Sequence, residues 1–505
     1  MKPFLLVLCL TSIFVNAQNS KSFKPNAYND AARDKRIAQT FPLVEQLYKQ
    51  YAEKNHIPGY AFGIVVDGKL VFKGSGGYAN LEDSIPATTA SMFRIASMSK
   101  SFTSLAILQL RDAGKLSLDD AVEKYIPALK GQGLSLDAPK ITIRHLMSHS
   151  AGFPEDNPWG DRQLADTEQD LLNMINKGVS FSNTTGLEYE YSNLGFAMLG
   201  YIIHKVSGMT YDTYIHKNIL APIGMNTTTF EFSKIPKNIL ANGYRYINNS
   251  WRKETLLHDG IYGAMGGMIT SIDMFSKYIA LHELAWPARN DKESFPVKRS
   301  TLREMHQSSK FISLNDAYVL PSGRKIATTN SYTYGLNWMT DALGRTSVGH
   351  SGGLPGYGSN WRFMPAYGLG IVFFANRTYA PASTINIAIL DTIVQLAQLK
   401  KRQVSVSPII QQRQNELLGI IETWEQPLDI FADNFFDDYP IETLKKESAI
   451  LFKEAGKIQK VNAFVAENQL RGYCILECER KNLKLAFTLT PENPALVQEY
   501  HLTID

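Results

Sequence analysis

Phe93-Arg94-Ile95-Ala96-Ser97-Met98-Ser99-Lys100 stands at the head of an apolar stretch that runs to Ala113 and stops at Gly114. From Ser97 onward the pattern is helical and apolar nearly all round, the signature of a helix buried inside a large domain. Gly114 fits a C-terminal cap. Ser97 falls at the start of this helix, and Lys100, three positions on, shares its face. The lysine nitrogen can therefore reach the serine oxygen. Burial or neighbouring positive charge lowers a lysine pKa and makes it a usable base. The helix N-terminus favours negative charge developing beside it. Taken alone, Ser-x-x-Lys arises by chance in most chains of this length, and a capping serine followed by a surface lysine is the plain alternative.

Upstream, an amphipathic helix spans about 41–55. Tyr60–Val66 and Lys69–Phe72 are β-prone runs joined by Asp67-Gly68, a strong hairpin signal. Strands return late, at Thr346–His350, Gly358–Met364 and Gly368–Ala375, followed by a helix over Ser383–Leu399. Between them, Ile141–His149, Ser192–Val206 (ended by Gly208) and Thr270–Leu284 form helices. Trp286–Thr340 is polar and irregular, with strand character near Ala317–Ile326. The economical architecture is α+β: one antiparallel sheet built from both ends of the region, flanked by helices, with a helical lobe inserted in the middle.

The remainder reads as a smaller unit. Residues 401–412, entered through Lys400-Lys401-Arg402, form a polar linker. Residues 413–505 form a small α+β domain, with helices at Leu417–Thr423 and Pro440–Ala455 and then an antiparallel meander of Gln469–Glu477, Leu483–Thr490 and Leu496–Ile504. No constellation of catalytic residue types falls there.

At the other end, Lys2 supplies a positive start, Phe4–Val15 is an almost unbroken apolar run, and Val15-Asn16-Ala17 offers a signal-peptidase site. The run is far shorter than the about 20 residues that span a bilayer. Cys9 sits too early in it, after Leu8, to be a lipid-anchor site. Residues 1–17 are expected to be a signal peptide, residues 18–400 the main domain, and the chain an exported one, periplasmic or extracellular, without a transmembrane anchor. The 505 residues carry 44% hydrophobic and 20% charged side chains and a net charge of +4, ordinary for a globular protein. No concentrated basic face suggests nucleic acid. Cys474 and Cys478 lie four apart on a strand, too far apart for a disulfide of normal geometry, and are expected to be free thiols.

Two further elements bear chemistry. Tyr191-Ser192-Asn193 opens the second apolar helix: a phenol there can relay a proton, and an amide can hold a substrate carbonyl or orient Lys100. His350-Ser351-Gly352-Gly353 ends a strand, and its small residues let a substrate backbone lie alongside. Each alone reads better as a cap or a glycine turn. His145 and His149 are spaced like metal ligands, but no Glu lies between them and no third ligand offers itself.

In this order, the three elements resemble the penicillin-recognising serine hydrolases, the branch of class C β-lactamases, D-Ala-D-Ala carboxypeptidases, D-aminopeptidases and related esterases. Leu118-Asp119-Asp120, Tyr125-Ile126-Pro127, Ile141 through Gly152, Leu194-Gly195 and Gly263 to Ile269 are similar to family segments, and the likeness covers about residues 40–400. The resemblance implies a β-lactamase/transpeptidase-like fold and an acyl-enzyme on Ser97. Lys100 and Tyr191 would move the proton, and Asn193 would position substrate together with His350, Ser351, Gly352 and Gly353. It implies an oxyanion hole from the backbone N–H groups of Ser97 and the Gly353 position, and no cofactor or metal. The substrate expected is a small peptide, ester or β-lactam, peptidoglycan-derived peptides included, with D-amino-acid peptidase or carboxypeptidase action foremost. Esterase and β-lactamase action are alternatives, and a penicillin-binding sensor or scaffold is the non-enzymatic one. His350 stands where typical β-lactamases carry a lysine, which weakens the β-lactamase reading. Substrate contacts are expected from Gly152–Trp159 and the 286–340 region. The C-terminal domain resembles a cystatin-like or nuclear-transport-factor-like cone.

Overall fold

The computed structural model describes residues 23–294, 296–320, 323–425 and 429–505. The expected signal peptide, 1–17, lies outside them. The chain divides into two units, Asp30–Pro287 with Glu293–Lys401, and Arg402–Asp505 with the segment before Asp30 and Ala288–Lys292.

The larger unit is built on a nine-stranded antiparallel sheet. Its strands are β1 (Gly59–Val66), β2 (Lys69–Asn80), β3 (Ile85–Pro86), β4 (Lys310–Val319), β5 (Lys325–Tyr332), β6 (Asn337–Asp341), β7 (Thr346–Leu354), β8 (Tyr357–Met364) and β9 (Leu369–Ala375). They run in the order β3-β2-β1-β9-β8-β7-β6-β5-β4. The β1–β2 turn has φ +47° at Asp67 and +79° at Gly68, the paired left-handed residues that match the twist of a hairpin. β1 pairs with β9, Ile64 opposite Ile371, so the first and last strands close the centre of the sheet.

Both faces of β1 and β9 are buried, and side-chain alternation divides them between two cores. Phe62, Ile64, Ile371 and Phe373 point into one core, under helices α1 (Phe41–Lys54) and α5 (Ala382–Leu396). Ala61, Val65, Val372 and Phe374 point into the other, which contains the helical lobe. Tyr48 of α1 stacks on Phe62 at 4.2 Å between ring centroids. In the second core lie α2 (Ser99–Asp112), α3 (Asn193–Ser207) and α4 (Ile272–Glu283). α2 is buried on nearly every side, its Ser and Thr residues included.

The region 286–340 departs from expectation. It contributes β4, β5 and β6, and Ala317–Ile326 covers the ends of two strands and the residues between them rather than one strand. Polar and apolar residues do not alternate strictly along these strands, and Phe311, Leu314 and Val319 of β4 are exposed, so no period-2 pattern marks a buried face.

The smaller unit joins strands Ile458–Val461, Arg471–Cys478, Leu483–Leu489 and Val497–Ile504 in an antiparallel sheet, with Val465–Ala466 beside the second. Its core gathers Trp424, Phe435, Leu444, Leu485, Phe487 and Val497. Helix Ile441–Ala455 forms close to its expected bounds. The expected linker 401–412 and the helix at 417–423 are corrected: a helix spans Pro408–Leu418, started by Ser407, whose hydroxyl accepts the Ile410 N–H, with Pro408 at the first helical position. Cys474 and Cys478 are free.

Candidate active site

The chain reaches Ser97 through a tight turn. Phe93–Arg94 pairs with Ile269–Thr270, and Ala96 then adopts φ +51°. A non-glycine residue in this conformation costs about 1–3 kcal/mol and persists where its surroundings enforce it. Three bonds do so. Ile95 N–H donates to the Met268 carbonyl at 2.9 Å, the Ser99 hydroxyl donates to the Ala96 carbonyl at 2.7 Å, and the Ser359 hydroxyl donates to the Ile95 carbonyl at 2.7 Å. Strand β7 lies hard against this turn. A Cβ on Gly352 would sit 2.2 Å from the Ile95 carbonyl oxygen, so only glycine fits.

Lys100 is fully buried, with its Nζ 3.1 Å from Ser97 Oγ. Nζ also donates to Asn193 Oδ1 at 2.7 Å and to the Met265 carbonyl at 3.0 Å. Burial brings its pKa from 10.5 down to about 7, against the opposing pull of the Asp161 and Asp156 carboxylates. At neutral pH a large share of the amine is thus unprotonated. Its two hydrogens are then spent on Asn193 and Met265, and its lone pair faces the Ser97 hydroxyl.

Asn193 heads α3 and is fully buried. Its Oδ1 accepts from Lys100 and its Nδ2 donates to Asn157 Oδ1 at 2.7 Å, so both ends of the amide are engaged within the protein. Its location is that of a residue that orients Lys100; Asn157 borders the open space instead. Asp156 caps α3 by accepting the N–H groups of Asn193 at 2.7 Å and Leu194 at 2.8 Å. The Tyr191 ring lies under Lys100 Nζ at 4.8 Å from its centroid. Burial pushes the Tyr191 phenol well above its ordinary pKa, while its hydrogen bond with Ser97 pulls the other way.

His350 accepts the Tyr332 hydroxyl at Nε2, 2.8 Å away, and its Nδ1–H donates to the Ser351 carbonyl. That arrangement suits the neutral ring. Burial first, and the Lys100 charge second, push its pKa down to about 3. Ser351 Oγ accepts from Asn360 Nδ2 at 3.0 Å, Asn360 Oδ1 accepts from Asn386 Nδ2 at 2.9 Å, and Asn386 Oδ1 accepts the Tyr48 hydroxyl at 2.8 Å. This buried chain leaves the Ser351 hydroxyl hydrogen free to donate outward.

A cleft of about 310 Å³ opens in front of Ser97, bordered by Tyr191, His350, Ser351 and Gly353. Asn157, Asp161, Tyr189, Asn337 and Tyr379 also border it, and sequence reasoning singled out none of these individually. Asn157 and Asn337 do fall in the two stretches expected to meet substrate. A larger hollow of about 680 Å³, bordered by Thr213, Lys217 and Glu231, lacks a paired nucleophile and base. His145 and His149 serve the fold: Nδ1 of His145 accepts the Thr142 N–H and Nδ1 of His149 accepts the Ser192 N–H. Among the described residues no group of three His, Cys, Asp or Glu side chains could hold a metal.

The sheet with its inserted lobe, and a serine paired to a buried lysine between them, define a serine hydrolase fold of the β-lactamase/transpeptidase type. The chain belongs to the Beta-lactamase family, whose model matches residues 44–393. Penicillin-binding protein 4* of Bacillus subtilis (strain 168) is 30% identical over 339 residues, 62% of this chain and 67% of that one. Beta-lactamase-like protein 4 of Dictyostelium discoideum is 27% identical over 424 residues, 81% of this chain and 72% of that one. The octameric penicillin-binding protein homologue from Pyrococcus abyssi shares the fold, with a TM-score of 0.58 at 23% identity over 92% of this chain and 99% of that one. Among the described residues no helix is long and apolar enough to cross a membrane.

Proposed function

We propose that this chain is an exported serine hydrolase that cleaves an amide or ester bond through an acyl-enzyme on Ser97. Ser97 Oγ attacks the carbonyl carbon as its proton passes to the neutral Lys100 amine. The oxyanion is held by the backbone N–H groups of Ser97 and Gly353; such donors are worth about 2.7–4 kcal/mol each where one has been removed. The proton returns through Lys100 and Tyr191 to the leaving amine or alkoxide as the bond breaks. Water then repeats the cycle on the acyl-enzyme, regenerating Ser97 and releasing the acid. Asn193 holds Lys100 in place, and Ser351 and the Gly352–Gly353 backbone align the substrate chain. The observation that carries this reading is the buried Lys100 amine, 3.1 Å from Ser97 Oγ and held by two other fixed acceptors.

Within this chemistry, peptidase action on peptides of D-amino acids is the substrate reading, with esterase action second. The cleft supports donors without a free carboxylate. His350 is neutral, and among the described residues the cationic side chain at Ser97 is Lys100, which the chemistry itself uses as the base. This shifts the reading away from β-lactamase and carboxypeptidase action, both of which must seat a carboxylate, towards the aminopeptidase and esterase side. A fluorophosphonate probe tests the nucleophile: it labels the wild type and not Ser97→Ala. A panel of p-nitrophenyl esters, D-amino-acid p-nitroanilides, nitrocefin and D-Ala-D-Ala peptides tests the substrate class. Absence of both labelling and turnover would return the chain to the sensor or scaffold reading.

A further inference from the structure

Asp161 is buried to 1% exposure yet borders the cleft that contains Ser97. Its Oδ2 accepts the Tyr379 hydroxyl at 2.8 Å. Its Oδ1 is buried and has no hydrogen-bond partner among the described residues. A carboxylate oxygen sealed from water and left unpaired is costly, and such a group in a native structure calls for a ligand or another explanation. Tyr379 itself is held in a left-handed backbone conformation, φ +49°, which presents its hydroxyl to this carboxylate.

Among the described residues, the charges that act most on Asp161 are Lys100, Asp156 and Glu155. The neighbouring Arg162 is half-exposed and turned to Glu254, 3.7 Å away. The cleft is therefore anionic on the Asp161–Tyr379 side, and its other polar borders, Asn157, Asn337, Ser351 and the neutral His350, carry no charge.

We propose that Asp161, steadied by Tyr379, is the specificity residue that binds the ammonium of an amine-bearing acyl donor. The hydrolase proposed above would then prefer substrates with a free amino group on the acyl side, as an aminopeptidase does. This rests on the Ser97 acyl-enzyme reading and goes beyond it by naming the group the cleft selects. An ammonium fits the observations in three ways. On the cleft side of Asp161 it adds a donor to a carboxylate that otherwise has the Tyr379 hydroxyl, it neutralises a buried carboxylate, and it is the charge opposite to the one a carboxypeptidase or β-lactam site must seat.

Asp161 also borders a void of about 10 Å³ shared with Arg94, whose Nη1 is likewise unpartnered. That space is water-sized and cannot take a substrate, but it frames the competing explanation, an indirect Asp161–Arg94 pair with a purely structural task.

The test compares D-alanine p-nitroanilide with its N-acetyl derivative on the full-length protein, wild type against Asp161→Asn. The wild type is expected to favour the free amine. Asp161→Asn is expected to raise KM for the free amine by about tenfold, the size of one charge-assisted hydrogen bond. Because the variant also withdraws a charge that raises the Lys100 pKa, the readout is the ratio of kcat/KM for the two donors at one pH, in which a change at Lys100 cancels, and that ratio is expected to fall about tenfold. Tyr379→Phe retains the charge and loses only the steadying hydroxyl, so it is expected to retain part of the preference. It serves as the second variant if Asp161→Asn melts early. The proposal is overturned if the wild type prefers the acetylated donor. It is overturned equally if Asp161→Asn lowers both donors alike, or only the melting temperature, which is what tuning of Lys100 or pairing with Arg94 produces. Turnover of the acetylated donor without amine preference removes this inference alone. No turnover of either donor, with no fluorophosphonate labelling, removes the Ser97 reading and this one with it.

Discussion

The Lys100 amine meets the Ser97 hydroxyl at 3.1 Å while Asn193 and Met265 occupy its other hydrogen-bonding directions. A protonated lysine would spend all three hydrogens on these partners and have nothing with which to accept a proton. A neutral one has a lone pair left, and it faces Ser97. The geometry therefore separates an inactive protonated form from an active neutral form.

The pH profile follows from that separation. Lys100 titrates near 7. Below that pH it is protonated and cannot act as a base; above it the amine is free. In the wild type, kcat/KM for a neutral ester should rise with pH through about 7 and level off about one unit higher. Lys100→Ala and Lys100→Arg should each lose about 10²–10⁴-fold, the arginine because it stays charged at every accessible pH. A flat profile from pH 5 to 9 in the wild type would sink the assignment of Lys100 as the base.

Gly352 offers a test that leaves every chemical group in place. An added methyl would sit 2.2 Å from the Ile95 carbonyl oxygen and 2.3 Å from Ser359 Oγ, against the turn that presents Ser97. Gly352→Ala must push β7 away from that turn. The expected outcome is a stability loss of about 1–3 kcal/mol, typical of overpacking, and a fall in kcat of about 10²-fold from a displacement on the order of 1 Å. Thermal melting and single-turnover acylation measure the two separately. Near-normal acylation in a folded variant would mean that β7 does not set the geometry at Ser97.

Much of this was legible because it is local. Ser97 and Lys100 are one helical turn apart, Asp67-Gly68 makes its turn alone, and the continuous β-prone apolar runs of β1 and β9 announce strands. The polar strands β4, β5 and β6 were not legible. Polar and apolar residues do not alternate strictly along them, and their place at one end of the sheet leaves them half-solvated. Nor were Asp161 and Tyr379, which meet across 218 positions of sequence, the second through a left-handed backbone that no side-chain pattern signals. Of the Tyr48–Asn386–Asn360–Ser351 chain only Ser351 stood out in the sequence; the other three lie in segments that read as plain helix or strand. Residues 401–412 read as a linker, although Pro408, after Ser407, starts a helix.

By the family resemblance His350 stands where β-lactamases carry a fixed cation, and it is neutral because burial, and after it the Lys100 charge, push its pKa down to about 3, with Tyr332 donating to its Nε2. With its pKa near 3, it stays uncharged from pH 5 to 9, so KM for a carboxylate-bearing donor should not improve as pH falls through 6.5. His350→Lys introduces the missing charge. It should raise kcat/KM for nitrocefin relative to a neutral ester by about tenfold, the scale of one charged hydrogen bond. Steady-state rates on the two substrates decide it, and an unchanged ratio would mean that the carboxylate is seated elsewhere.

Asn193→Asp tests whether the amide acts on Lys100 or on substrate. The acceptor oxygen 2.7 Å from Nζ is kept, but it gains a negative charge. A carboxylate at that distance favours the protonated amine and raises the lysine pKa by about 1–3 units. The acid limb of kcat/KM should therefore move from about 7 towards 8–10, with activity recovering at high pH. Asn193→Ala removes the acceptor and frees Nζ to wander, so its loss should persist at every pH. If Asn193 instead held the substrate carbonyl, losing the Nδ2 donor would raise KM in both variants and leave the limb where it was. A shifted limb in Asn193→Asp with unchanged KM assigns the residue to Lys100; a raised KM with an unshifted limb assigns it to substrate.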